Sequence, residues 1–252
     1  MFVNQKLLAA NPFFDAYLQS DTLGKLIFIA LFLLSICSWV ILLHKLWQTG
    51  IAKKSASRFR EAFHLQKVNP LSLDCESLNK QQKLNPYLDL YQVMKKQTME
   101  ILSKNRHFGL VHADGAQKGS AYLSSDDIDF VASHLMTSIA TQTKDLEKNL
   151  YILSTTVSLA PFLGLLGTVW GILTTFSEMQ SSAAGGGGQQ MVLGGLSLAL
   201  ATTVLGLIDA IPALIGYSYL KNAIRDFGTE MEKFANDILT SVELQYRKVN
   251  LN

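Results

Sequence analysis

Few side chains can do chemistry inside a membrane, and this chain carries them sparingly. Asp209 is the single acid in three long apolar stretches. A charged group at the bilayer centre costs about 2.5–3.5 kcal/mol on insertion scales, so an acid kept there faces a partner or a water-filled space. Many hydroxyls share those stretches: Thr155, Thr156, Ser158, Thr168, Thr174, Thr175, Ser197, Thr202 and Thr203. Such groups can bond to their own helix carbonyls and do nothing further, and most of them read as structural. Other chemistries find no support. An intramembrane enzyme needs a nucleophile with its base, or paired acids; neither Gly-x-Ser-x-Gly nor a second intramembrane aspartate occurs, so no catalytic activity is expected. His107 and His112 lack metal-ligand spacing, and no metal or cofactor is expected. The Gly185 to Gly188 run lacks the Gly-Lys-Ser/Thr ending of a phosphate loop. Cys37 and Cys75 are expected in different environments and form no disulfide framework.

The elements that position these residues are written in the apolar blocks. The 252 residues are 48% hydrophobic, but the apolar residues are concentrated rather than spread as in a soluble chain. Leu26 to Leu43 holds no charge, Leu150 to Ser177 holds none, and Met191 to Leu220 holds only Asp209. Each is long enough to span a bilayer, which needs about 20 residues. The expected fold is an all-α membrane protein with three transmembrane helices, at 25–46, 150–177 and 191–220, and long helical extensions outside the bilayer. Net charge of +2 gives no reason to expect nucleic-acid binding, whereas the placement of Lys and Arg is informative. Only Lys6 precedes Lys25, fourteen basic residues lie between Trp47 and Asn149, none between Glu178 and Gln190, and five after Leu220. The positive-inside rule then puts 1–24 and the turn 178–190 outside, with 47–149 and 221–252 in the cytoplasm. Trp39, His44, Lys45 and Trp47 read as interfacial anchors.

Outside the spans the helical period continues. Met1 to Thr22, with Phe13, Phe14 and Tyr17, reads as an interfacial helix or an apolar tail. Gly50 to His64 reads as a helix emerging from the membrane, and Val68 to Asn85 as a polar connector. Pro86 suits the start of a helix over Tyr87 to Arg106, whose packing face is Leu88, Tyr91, Met94, Thr98, Ile101 and Leu102. His107 to Gly119 reads as a loop. Ser124-Ser125-Asp126-Asp127 is a helix start, a hydroxyl cap followed by acids. Ile128, Val131, Leu135, Ile139, Leu146, Leu150 and Leu153 recur at steps of three, four or seven with no Gly or Pro before Pro161, so one helix is expected from about Asp126 to Phe176, roughly 75 Å at 1.5 Å per residue. Beyond Leu220, Phe227, Met231, Phe234, Ile238 and Val242 form one stripe, expected to pack against the Asp126 to Asn149 helix or a neighbouring copy.

The second apolar block is unlike a plain anchor. Gly164, Gly167 and Gly171 recur at three- and four-residue spacing and form a smooth stripe where another helix can come close. Pro161 and Pro212 are expected to bend their helices. The run Ala160-Pro161-Phe162-Leu163-Gly164-Leu165-Leu166-Gly167-Thr168-Val169-Trp170-Gly171-Ile172 resembles the second transmembrane helix of the ExbB/TolQ/MotA family, the proton-driven motor subunits of bacterial inner membranes. Gly195-Leu196-Ser197 and the run from Ala201 through Gly206 to Pro212 resemble that family's third helix. With three spans rather than four, the resemblance runs to the TolQ and ExbB branches, and Ser38-Trp39 favours TolQ.

The resemblance implies a subunit that several copies, five by family likeness, assemble into a ring in a Gram-negative inner membrane, around an ExbD/TolR-type single-span partner. That partner would supply the titrating aspartate, and proton flow would drive a TolA/TonB-type envelope protein; a scaffold without ion flow is the alternative. It also implies that Thr168 and Thr203 line the channel; Thr202 and Asp209 are expected to line it with them, although the family usually has a small apolar residue at position 209. The sequence departs from the family where a glutamate is usual, at Leu198. Leu198 and Asp209 are eleven residues apart, about three turns, and share a helix face. Asp209 is therefore expected to replace the missing polarity one channel layer deeper.

Overall fold

The structure is a computed structural model that describes residues 13, 17–18, 21–65, 69–73, 85–112, 122–181 and 188–247. Among them the elements are helices: α1 (Thr22–Leu65), α2 (Pro86–His112), α3 (Ser125–Glu147), α4 (Leu150–Ser181) and α5 (Gly188–Tyr246). Three of these, α1, α4 and α5, are long and apolar enough to cross a membrane. The chain is an all-α membrane protein. Most of Met1 to Thr22, the Gly185 to Gly187 turn and Cys75 lie outside the described residues.

The chain divides into two compact units, Met1–His44 with Asn149–Leu220, and Lys45–Lys148 with Lys221–Asn252. In the first unit α4 and α5 pack through small side chains, and α1 joins them with larger ones. Ile27 and Leu31 of α1, Ala160 of α4 and Ala210 of α5 form one buried cluster, with Leu34, Leu163 and Leu205 against it. Large apolar side chains such as Phe32, Val40, Phe162, Val169 and Ile215 point outward. That is the reverse of a soluble domain and the expected arrangement for helices solvated by lipid.

The second unit is built in the opposite way. Phe59 and Phe63 of α1, Tyr87 and Tyr91 of α2, and Phe227 and Phe234 of α5 are buried. Tyr87 stacks on Phe234 with ring centroids 4.3 Å apart, and Phe63 meets Phe234 edge-on at 5.7 Å. Such pairs add about 0.5–1.5 kcal/mol beyond the area they bury. Burial pushes the Tyr87 hydroxyl up to about 12, with Glu230 adding to it. From α3 the same stripe read from the sequence, Ile128, Val131, Leu135, Ile139 and Leu146, is buried. The α5 stripe Phe227, Met231, Phe234, Ile238 and Val242 is buried too, and Gly228 faces the Thr143 hydroxyl of α3.

Local signals set the starts of these helices. Pro86 takes the first position of α2, where its missing N–H costs nothing, and the Leu88 amide donates to Asn85 Oδ1 at 3.3 Å. Ser124 Oγ accepts from the Asp126 amide at 3.1 Å, and the Ser124 amide donates to Asp127 Oδ2 at 2.9 Å, a reciprocal capping box.

Two expectations need correction. The helix from Asp126 to Phe176 is not continuous: α3 ends at Glu147, Lys148 caps it, and Asn149 sits at φ 70° before α4 begins. Asparagine is among the few side chains that enter the left-handed region cheaply, so the chain breaks there without glycine or proline. The region after Arg106 is not a loop at its start, because α2 runs on to His112 through Gly109; a lone glycine weakens a helix by about 1 kcal/mol without ending it. Pro161 and Pro212 lie inside unbroken helices.

Candidate functional site

The small-residue stripe of α4 lies against α5 in the same chain. Gly164 is so close that an added Cβ would come within 3.0 Å of the Thr202 carbonyl oxygen and the Thr203 Cα. At Gly167 it would overlap the Thr202 side chain, and at Gly171 it would meet the Ala199 Cβ at 3.1 Å. From the other side, Gly206 faces the Ala160 carbonyl oxygen, which a Cβ would reach at 2.6 Å. Gly195 lies against Thr175. Each helix therefore supplies glycines where the other supplies a hydroxyl or a carbonyl, and the backbones come together as small-xxx-small packing permits.

Hydroxyls bridge this seam. Thr203 Oγ1 donates to the Gly164 carbonyl at 3.1 Å. Thr202 Oγ1 lies 2.9 Å from the Ala199 carbonyl and 3.4 Å from that of Gly164. Thr168 donates to the Leu165 carbonyl of its own helix at 2.7 Å. Thr168 and Thr203 are half-buried, whereas Thr202 is 1% exposed. Among the motif threonines, then, Thr168 and Thr203 retain free surface and Thr202 is enclosed within one protomer. Its place between Gly164 and Gly167 makes it a packing residue in this structure.

Asp209 is placed elsewhere. It is 4% exposed and turned toward α1, where Ser38 Oγ donates to its Oδ1 at 3.4 Å. It belongs to the seam between α1 and α5, so it does not extend the threonine face as the sequence suggested. The side chain of Leu198 is outside what the structure describes. The pairing was half legible: Ser38 stood out in the sequence, and an acid in a span demands a partner, but no spacing rule links positions 171 residues apart.

Three further polar ties went unread. Asp21 accepts from the Gly24 amide at 2.8 Å and from Trp170 Nε1 at 2.7 Å, so one carboxylate caps α1 and holds α4. Lys45, expected as an interfacial anchor, is 4% exposed and donates to the Leu146 carbonyl at 3.0 Å. It thereby satisfies a carbonyl left open where α3 stops, as a cation at a helix C-terminus does. In the second unit Asp89 accepts from Gln142 Nε2 at 2.9 Å, and burial pushes its carboxyl above the usual range against that hydrogen bond.

Three membrane-capable helices, with a close glycine and threonine seam between the last two, define a polytopic membrane protein whose helices pair through polar and small residues. The profile of the MotA/TolQ/ExbB proton channel family matches residues 103–233, and the chain belongs to that family. It is 28% identical to the Tol-Pal system protein TolQ of Haemophilus influenzae over 234 residues, covering 90% of this chain and 94% of that one. The Tol-Pal system protein TolQ of Pseudomonas aeruginosa is 29% identical over 196 residues, 77% of this chain and 76% of that one. The biopolymer transport protein ExbB of Aquifex aeolicus is 43% identical over 100 residues, which are 40% of this chain and 66% of that relative.

Proposed function

We propose that this chain is an inner-membrane proton-channel subunit whose copies surround an ExbD/TolR-type single-span partner and couple the proton motive force to a TolA/TonB-type envelope protein. The observation that carries the reading is the pair Thr168 and Thr203. They sit on neighbouring helices of one seam and keep surface that the protomer does not cover. In a ring such surface is available to water or to a partner's carboxylate. The apolar windows of α1 and α4 are each 28% buried within the chain, which leaves area for lipid and for further copies. Each proton crossing 100 mV supplies about 2.3 kcal/mol, enough to bias a rotation or tilt of a partner helix.

Tol-Pal service is the preferred assignment, because the match to the Haemophilus influenzae TolQ takes in 90% of this chain and 94% of that protein, whereas the match to the Pseudomonas putida ExbB takes in 90% of this chain but 62% of that one. A TonB-type uptake system is the second reading, favoured by the higher identity to ExbB proteins over a shorter stretch. The test has two arms. Vesicles holding this chain with its single-span partner should take up protons under an imposed potential, and Thr168→Val with Thr203→Val should remove most of that flux. Undiminished flux in the double variant removes the threonines from the pathway. Functional replacement of TolQ in a strain that lacks it, without replacement of ExbB in a strain that lacks that protein, supports the Tol-Pal assignment; the reverse pattern overturns it.

A further inference from the structure

The carboxyl of Asp209 is used by nothing in the threonine seam, yet it is buried in the membrane-spanning unit with one oxygen unsatisfied. Oδ1 accepts from Ser38, while Oδ2 is buried with no hydrogen-bond partner. A buried polar atom without a partner costs about 1–3 kcal/mol, more for a charged group. Ser35 of α1 lines the same cavity as Asp209. Beside these groups lies a cavity of about 580 Å³, walled by Phe28, Phe32, Leu205 and Ile208 and reaching Phe13 and Tyr17. The ionisable residues lining it, among those described, are Tyr17 and Asp209. On α4, the residues packed on this part of α5 are Ala160 and Leu163, which carry no charge.

We infer that Asp209, with Ser35 and Ser38, forms a proton-binding site in the α1–α5 seam, separate from the threonine face and reached through the aromatic-walled cavity. The choice of hydroxyls carries the argument. A lysine or arginine opposite Asp209 would hold it ionised. A serine hydroxyl can donate to a carboxylate and can equally accept from a carboxylic acid, so the same two side chains serve both forms. The free Oδ2 is where the proton resides in the neutral form and where a donor arrives in the ionised one. Ser38 is thereby a positioning residue, fixing Oδ1 so that Oδ2 meets the cavity. The site does not depend on the channel reading, since it belongs to a single protomer.

Infrared difference spectroscopy on the purified full chain in nanodiscs tests this directly. The expected result is a carboxylic-acid C=O band that is absent in Asp209→Asn, retained in Asp209→Glu, and lost reversibly as pH rises over the range where the protein stays folded. The band should shift in D2O and move to higher frequency in Ser38→Ala, which removes a hydrogen bond. Four outcomes overturn the proposal: acid bands at every pH identical in the unaltered chain and Asp209→Asn, an Asp209-dependent band that never titrates, one that never exchanges in D2O, and one bleached by sodium at fixed pH. The last would mark a monovalent-cation site on the same oxygens. Asparagine keeps the acceptor for Ser38, so Asp209→Asn is expected to fold, and its circular dichroism checks that.

Discussion

The two units of this chain bury their helices against one another with opposite side chains. In the unit of Met1–His44 and Asn149–Leu220 the closest contacts are at Gly164, Gly167, Gly171, Gly206, Ala160 and Thr202, with Ile27 and Leu31 buried beside them, while many large residues face out. In the unit of Lys45–Lys148 and Lys221–Asn252 the contacts are Phe59, Phe63, Tyr87, Tyr91, Phe227 and Phe234. Lipid tails are as apolar as leucine, so burying leucine gains little between spans, and close backbone approach with hydrogen bonds must hold them. Where water competes, area removed from solvent dominates, and aromatics supply the most per residue. One α1 helix takes part in both regimes, and the character of its buried face changes along its length from Ile27 and Leu31 to Phe59 and Phe63.

The sharpest way to break this contrast is to delete an aromatic in each unit. Phe234→Ala should cost about 3–5 kcal/mol, because it empties the centre of the ring cluster. Phe162→Ala, at a residue 69% exposed, should change the stability of the isolated protomer very little. Equal losses in thermal unfolding of the detergent-solubilised protein would erase the distinction. The converse experiment adds bulk. Gly206→Val drives a side chain into the Ala160 carbonyl, which cannot swing away, and should cost about 1–3 kcal/mol or more. Gly50→Ala meets nothing within 4 Å and should be neutral or slightly stabilising. Should both glycine variants behave alike, close approach is not what holds α4 to α5.

Smaller effects refine the comparison. Lys45→Met should destabilise by about 1–3 kcal/mol, since it strands the Leu146 carbonyl, and hydrogen exchange should quicken at the end of α3. Asp89→Asn should stabilise the second unit modestly at neutral pH. Its carboxyl is raised in the folded state, so the native form binds the proton more tightly than the unfolded one, and stability falls as pH rises through that folded value. The advantage of asparagine should therefore be full above it and fade as pH drops into the ordinary carboxylate range. A gain that persists unchanged at low pH would point away from the buried charge. Thr203→Val should cost least, about 0.6 kcal/mol, the usual worth of an interhelical hydroxyl bond in a membrane. Its influence on proton flux is expected to exceed its influence on stability.

Much of the plan was legible because it is periodic. Apolar blocks longer than a bilayer, a helical stripe from Ile128 to Leu146, the helix starts at Pro86 and Ser124, and the spacing of Gly164, Gly167 and Gly171 are local patterns that helix geometry makes readable. Less visible was the break at Asn149, where an ordinary-looking residue takes a left-handed backbone conformation that neighbouring packing makes worthwhile.

By itself the sequence determined which segments enter lipid, which faces are smooth, and that Asp209 must find company. Only the tertiary structure decided what that company is. Thr202 closes against glycines, Lys45 finishes a helix one hundred and one positions away in sequence, and Asp209 turns to Ser38 instead of the threonine face. The physical reason is that a helix's period fixes which residues share a side, whereas which neighbour covers that side depends on how three helices fit together, and no distance along the chain encodes that fit.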